Sequence, residues 1–278
     1  MIEGRGIVDN GRTKIYLPRT ICKYFIFRLL RENYLGIYFQ ISSQIWNFGA
    51  HAQDSSCIWL NQLQENCADF PEQLFYKKNG ERIVNGTPVD IGEIQWQAHL
   101  ATKEGKWKNG FCGGTLLCDR FVLTAAHCCV GYPKPEVVIL GDHYAEKRND
   151  PYEIRIDVKK IIIHPGYNNI NYNNDIAILQ LAKPVRNKKG IRNACLPKYE
   201  PRQQEVKEML ITGWGGKYFQ GPTSNVLLKA EVDLVSRKKC KEMYNKPLNG
   251  QTEDITKRMI CAASPGKDTC QGDSGGIC

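Results

Sequence analysis

The sequence predicts an all-β fold built from antiparallel strands, and three observations carry that prediction. From residue 83 onward the apolar residues fall in short runs rich in β-branched side chains. Turn formers (Gly, Pro and Asn) separate those runs, as strand connections require. The composition is 42% hydrophobic and 24% charged over 278 residues, enough apolar surface for a core and too much for disorder.

In chain order the predicted strands are Phe121–Thr124, Glu136–Leu140, Ile161–Ile163, Ile176–Leu179, Met209–Thr212 and Val226–Leu228. Their lengths and punctuation fit a sandwich or barrels, and the residues alone do not choose between the two. No internal repeat or low-complexity tract interrupts them.

Three regions are expected along the chain. Residues 1–52 form an N-terminal region with a candidate signal peptide. Its apolar stretch at 34–41 follows Lys23, Arg28 and Arg31 and precedes the small-x-small site Ala50-His51-Ala52. Residues 53–82 hold Cys57 and Cys67 and end in the basic site Glu81-Arg82, while residues 83–278 carry the β-rich domain. No run of eighteen apolar residues is present, so no transmembrane segment is expected.

Twelve cysteines lie along the chain, and none shows the paired C-x-x-C spacing of a zinc site. They read as disulfides, which places the protein outside the cell, in an oxidising compartment. The net charge of +9 does not imply a nucleic-acid partner, because residues 1–52 contribute +4 of it. Two local clusters, Arg237/Lys238/Lys239/Lys241 and Lys188/Lys189/Arg192, read as solvated surface.

The chemistry rests on three short motifs: Leu123-Thr124-Ala125-Ala126-His127-Cys128, Asn174-Asp175-Ile176-Ala177-Ile178-Leu179 and Gly272-Asp273-Ser274-Gly275-Gly276. A serine hydroxyl is a weak nucleophile and needs an adjacent base; imidazole serves because it titrates near neutrality. The imidazole in turn needs a carboxylate to fix its tautomer and stabilise its charged form. His127, Asp175 and Ser274 supply those groups. The other histidines, His51, His99, His143 and His164, are expected to be structural.

Together the motifs resemble the chymotrypsin/trypsin family of serine proteases, and the resemblance runs from Arg82 to the last residue. It implies two antiparallel β-barrels, with Ser274 as nucleophile, His127 as general base and acid, and Asp175 orienting the imidazole. It implies an oxyanion hole from the backbone N–H groups of Gly272 and Ser274. Asp268, six residues before Ser274, falls at the base of the specificity pocket, where a carboxylate selects Arg or Lys. Arg82-Ile83-Val84-Asn85-Gly86 resembles a zymogen activation site, cleaved by a trypsin-like protease. The new amino group at Ile83 would then pair with Asp273. Protein or peptide substrates are implied, and no cofactor.

The same resemblance implies disulfides Cys112–Cys128, Cys240–Cys261 and Cys67–Cys195, and Cys118 is paired with Cys129. Asp142 and Glu153 fall where some relatives bind calcium, but the oxygen-ligand pattern is incomplete and no metal is expected. The sequence departs from the family in ending four residues past Ser274, so the second barrel is expected to be incomplete. That departure leaves a rival reading, a non-catalytic homologue acting as a binding or regulatory protein.

Overall fold

The computed structural model describes residues 20–22, 67–68, 86–146, 150–194, 208–216, 221–244, 255–256, 259–264 and 273–276. Thirteen strands are present among them. The first three are short: β1 (Thr20–Cys22), β2 (Cys67–Ala68) and β3 (Thr87–Pro88). Next come β4 (Gln97–Ala101), β5 (Cys112–Cys118), β6 (Phe121–Thr124), β7 (Val137–Leu140), β8 (Ile154–Ile163) and β9 (Ala177–Leu181). The remainder are β10 (Asn193–Ala194), β11 (Glu208–Gly213), β12 (Leu228–Val235) and β13 (Ile260–Ala262).

Strands β4 to β9 close a six-stranded barrel in the order β4-β5-β6-β9-β8-β7, every neighbouring pair antiparallel. Closure removes the unpaired edges that an open sheet presents to other chains. Strand β8 shows why its residues pair this way. Ile154, Ile156 and Val158 turn toward the core, while Arg155, Asp157 and Lys159 are exposed, the period of two that a half-buried strand requires. Leu100, Leu116, Val122, Val138, Leu140, Leu179 and Leu181 fill the interior.

The second half is a sheet in which β12 lies between β11 and β13 and also pairs with β3, while β1 pairs with β13. It is not closed among the described residues. Its core is smaller, centred on Met209, Ile211, Leu228, Ala230 and Val232.

Three predicted strands begin later than the sequence suggested: β7 starts at Val137 in place of Glu136, and the other two are delayed for local reasons. Ile176 gives its N–H to the carbonyl of Asn174, which sits in a left-handed turn (φ 55°), so β9 starts at Ala177. Val226 hydrogen-bonds the Ser224 hydroxyl and makes one isolated bridge to Tyr144; β12 starts only at Leu228. The basic run 237–241 lies on a helix, α1 (Arg237–Tyr244), capped by Ser236, whose Oγ accepts the Lys239 N–H.

Two disulfides are present among the described residues. Cys112–Cys128 joins β5 to the turn after β6, and Cys240–Cys261 pins α1 to β13. The Cys118–Cys129 pairing is not made. Cys129 is a free thiol buried in the barrel core, and Cys118 is bonded to a cysteine whose side chain lies outside the described residues. Adjacent cysteines on a tight turn point in different directions, so Cys128 can reach β5 while Cys129 packs inward. Cys195 and the Cys67 side chain lie outside the described residues. The backbone of β2 runs parallel to β10, setting Cys67 opposite Asn193.

Candidate active site

His127 sits in a single 3-10 turn, Ala126–Cys129, directly after β6. The first N–H groups of such a turn have no partner within it. Asp175 supplies one: its Oδ1 accepts the His127 N–H at 2.8 Å, and its Oδ2 lies 2.8 Å from His127 Nδ1. A carboxylate accepts, so the ring carries its proton on Nδ1 and presents Nε2 at its other edge. The Asp175 side chain is 3% exposed and that of His127 is 35% exposed, so the far edge of the ring is open to solvent. The two residues come from facing ends of paired strands, Thr124 on β6 standing opposite Ala177 on β9.

The buried charge of Asp175 is felt by its neighbours. Burial, and then the Asp175 charge, push the Cys129 thiol up to about 12. The half-buried Tyr167 phenol is likewise raised to about 12, by burial first and then by Asp175 and Tyr172. Both groups are held neutral chiefly by burial, with the Asp175 charge adding to it. Tyr172, in a left-handed conformation (φ 53°), places its ring edge-on to His127 with centroids 6.1 Å apart.

Ser274 reaches the same place from the other side of the sequence. Its carbonyl accepts the N–H of Gly113 on β5 at 2.8 Å, and Cys112 next to Gly113 is bonded to Cys128, beside His127. The approach is close: a Cβ on Gly113 would lie 2.7 Å from Gly276 Cα. Gly275 adopts φ 77°, and a Cβ there would lie 2.3 Å from Thr124 Oγ1 and 2.8 Å from the Gly113 carbonyl. Thr124 Oγ1 donates to that same carbonyl at 2.8 Å. The sequence alone assigns no role to Gly113 or to the Thr124 side chain. The doublet Gly113-Gly114 after Cys112 is the signal for close backbone approach.

Asp273 is 8% exposed, and its Oδ1 accepts the Gly215 N–H at 2.6 Å. Arg82, Ile83, Asp268 and Gly272 lie outside the described residues. Cys112, His127 and Cys128 bring potential ligand atoms within 4.8 Å of one another, but the two sulfurs are joined in a disulfide and offer no thiolate. At the calcium-like positions, Asp142 faces His99 and Glu153 faces Arg155. Both carboxylates thus have side-chain partners within the domain.

Comparison with known proteins agrees with this geometry. A family model described as Trypsin matches residues 83–277. The chain belongs to the chymotrypsin/trypsin family of serine proteases. Among curated relatives of this trypsin-like domain, mannan-binding lectin serine protease 1 of Mus musculus is 35% identical over 219 residues, covering 73% of this chain and 30% of that protein. Vitamin K-dependent protein C of Rattus norvegicus is 37% identical over 207 residues, covering 71% and 42%. The proclotting enzyme of Tachypleus tridentatus is 36% identical over 207 residues, covering 70% and 54%. The chain thus spans only part of the length of each of these relatives. A solved structure of neuropsin, a serine protease from mouse brain, aligns with a TM-score of 0.58 at 35% identity, covering 69% of this chain and 81% of that one.

Proposed function

We propose that this chain is a secreted serine endopeptidase, made as a zymogen, that hydrolyses peptide bonds after Arg or Lys. The observation that carries the proposal is the double hold of Asp175 on His127, through Nδ1 and through the backbone N–H. In this reading His127 Nε2 takes the proton of the Ser274 hydroxyl as Oγ attacks the scissile carbonyl. The oxyanion is met by the N–H groups of Gly272 and Ser274, and His127 then returns the proton to the leaving amine. Asp175 keeps the imidazole in the competent tautomer and stabilises the imidazolium.

Asp268 would supply the carboxylate that selects Arg or Lys. Cleavage after Arg82 by a trypsin-like protease would free the Ile83 amine to pair with Asp273. A buried pair of this kind is a better switch than a source of stability, because neither charge tolerates burial alone. The region 53–82 acts as the activation propeptide. A Cys67–Cys195 bond would keep it attached after cleavage, and the β2–β10 pairing that brings Cys67 alongside Asn193 supports it. Secretion is supported by the disulfides and by the candidate signal peptide in residues 1–52. No described helix is long and apolar enough to cross a membrane.

The test is to cleave the chain at Arg82 and expose it to a serine-directed fluorophosphonate, beside Ser274→Ala and uncleaved controls. Labelling confined to the cleaved, Ser274-containing form is expected, with Arg and Lys esters then hydrolysed in preference to aromatic ones. A folded, cleaved protein that does not label is instead the non-catalytic homologue.

A further inference from the structure

His99 lies on β4 inside the barrel wall and is 4% exposed. Its Nδ1 is 2.9 Å from Asp142 Oδ2, and the two side chains are 5% and 2% exposed. A buried polar pair of this kind is held in one geometry, since either partner alone carries a large desolvation cost. The sequence reserves room for the ring: Gly110 has φ 115°, and a Cβ there would lie 1.8 Å from His99 Nε2.

The free face of that imidazole is occupied. It stacks on the indole of Trp214, centroids 4.2 Å apart and planes within 4°. The indole is 3% exposed, and its Nε1–H donates to the carbonyl of His143, the residue after Asp142. Trp214 stands between Gly213 and Gly215, two residues with wide backbone freedom. Those glycines enclose the Asp273 carboxylate. A Cβ on Gly213 would lie 2.0 Å from Asp273 Oδ1, one on Gly215 would lie 2.3 Å from Oδ2, and the Gly215 N–H donates to Oδ1. Asp273 immediately precedes Ser274.

We propose that His99, held by Asp142, is a positioning residue for the Ser274 loop, acting by stacking on Trp214 and thereby fixing the Gly213–Gly215 clasp on Asp273. Each link is a direct contact, and the path runs from the closed barrel across to the second sheet. The role of Ser274 as nucleophile rests on the protease reading above; the clasp itself does not.

Hydrogen exchange at the Gly215 amide in the full chain tests the proposal. His99→Gln keeps a donor for Asp142 but removes the ring, and it should speed Gly215 exchange about tenfold relative to a barrel amide such as Leu179. Asp142→Asn keeps an acceptor for His99 and should stay within about twofold of wild type. In the cleaved protein, His99→Gln should also slow fluorophosphonate labelling of Ser274 about tenfold. Unchanged Gly215 protection overturns the proposal. So does a loss shared equally by Leu179, which would mean that His99 serves global stability alone. Wild-type protein that never labels sinks the protease reading and leaves the exchange result to decide this one.

Discussion

Asp175 holds His127 twice, through the ring at Nδ1 and through the backbone N–H, both at 2.8 Å. The second contact fixes the 3-10 turn that carries the imidazole, so orientation and tautomer are set by one carboxylate. Asp175→Asn would turn an amide NH₂ or a single oxygen toward Nδ1. With the NH₂ facing the ring, the proton moves to Nε2 and the base is lost. For a Ser–His–Asp site the expected fall in kcat is about 10⁴, with KM little changed. Steady-state hydrolysis of an Arg ester by the cleaved protein measures it, and a loss below about tenfold would remove Asp175 from the mechanism.

Cys129 should be inert in the folded protein although it is free. The thiolate is the reactive form, and burial beside Asp175 raises the thiol to about 12. Iodoacetamide at mildly alkaline pH should leave Cys129 unmodified by peptide mass spectrometry until denaturant is added. Prompt modification of the native protein would show that the site is open.

The same shift gives a pH dependence whose sign follows from proton counting. Unfolding lowers the thiol from about 12 to its ordinary 9.0. Between those values the folded state holds the proton and the unfolded state releases it, so stability falls as pH rises above about 9. The limiting slope is about 1.4 kcal/mol per pH unit for one group. Cys129→Ala should flatten the fall relative to wild type in thermal melts between about pH 9 and pH 11. Parallel melts for the two proteins would contradict the assignment.

Removing the Cys112–Cys128 bond opens a loop of sequence separation 16, worth about 3 kcal/mol by loop-closure entropy. The paired change Cys112→Ala and Cys128→Ala should lower the denaturation free energy by that order. It should also slow Ser274 labelling, because the bond lies between His127 and the strand that receives Ser274. Full labelling with reduced stability would restrict the disulfide to a structural role.

Two glycines with nearly equal backbone angles separate conformational strain from crowding. Gly105 has φ 79° and nothing within 4 Å of where a Cβ would stand, whereas Gly275 has φ 77° and a Cβ there would clash with Thr124 and Gly113. Gly105→Ala should cost about 1 kcal/mol and leave Ser274 labelling intact. Gly275→Ala should slow labelling by at least about tenfold. Equal effects in the two variants would show that crowding at Gly275 does not matter.

The legible parts of the sequence were those where a local pattern has one physical meaning. The runs at Phe121 and Glu136 became β6 and β7 because β-branched residues between turn formers have few alternatives. His127 and Asp175 could be named because the chemistry demands those residue types together. What could not be read depends on contacts between distant segments. His99 looked like an ordinary core histidine, since nothing near it in sequence announces Asp142, Trp214 or the gap left by Gly110. Adjacent Cys128 and Cys129 look equivalent in sequence, and only the fold sends one to β5 and the other into the core.

The barrel closes on itself, with His127 and Asp175 both at ends of its own strands, while Ser274 lies on a segment that also answers to the second sheet through Asp273. The proposed acid–base pair and the proposed nucleophile are therefore held by cores of different size among the described residues. On heating, the larger barrel core should keep histidine and aspartate in register after the serine has drifted away. Catalytic competence would then fade several degrees before the barrel melts, and cooling would restore it without the barrel having to fold again.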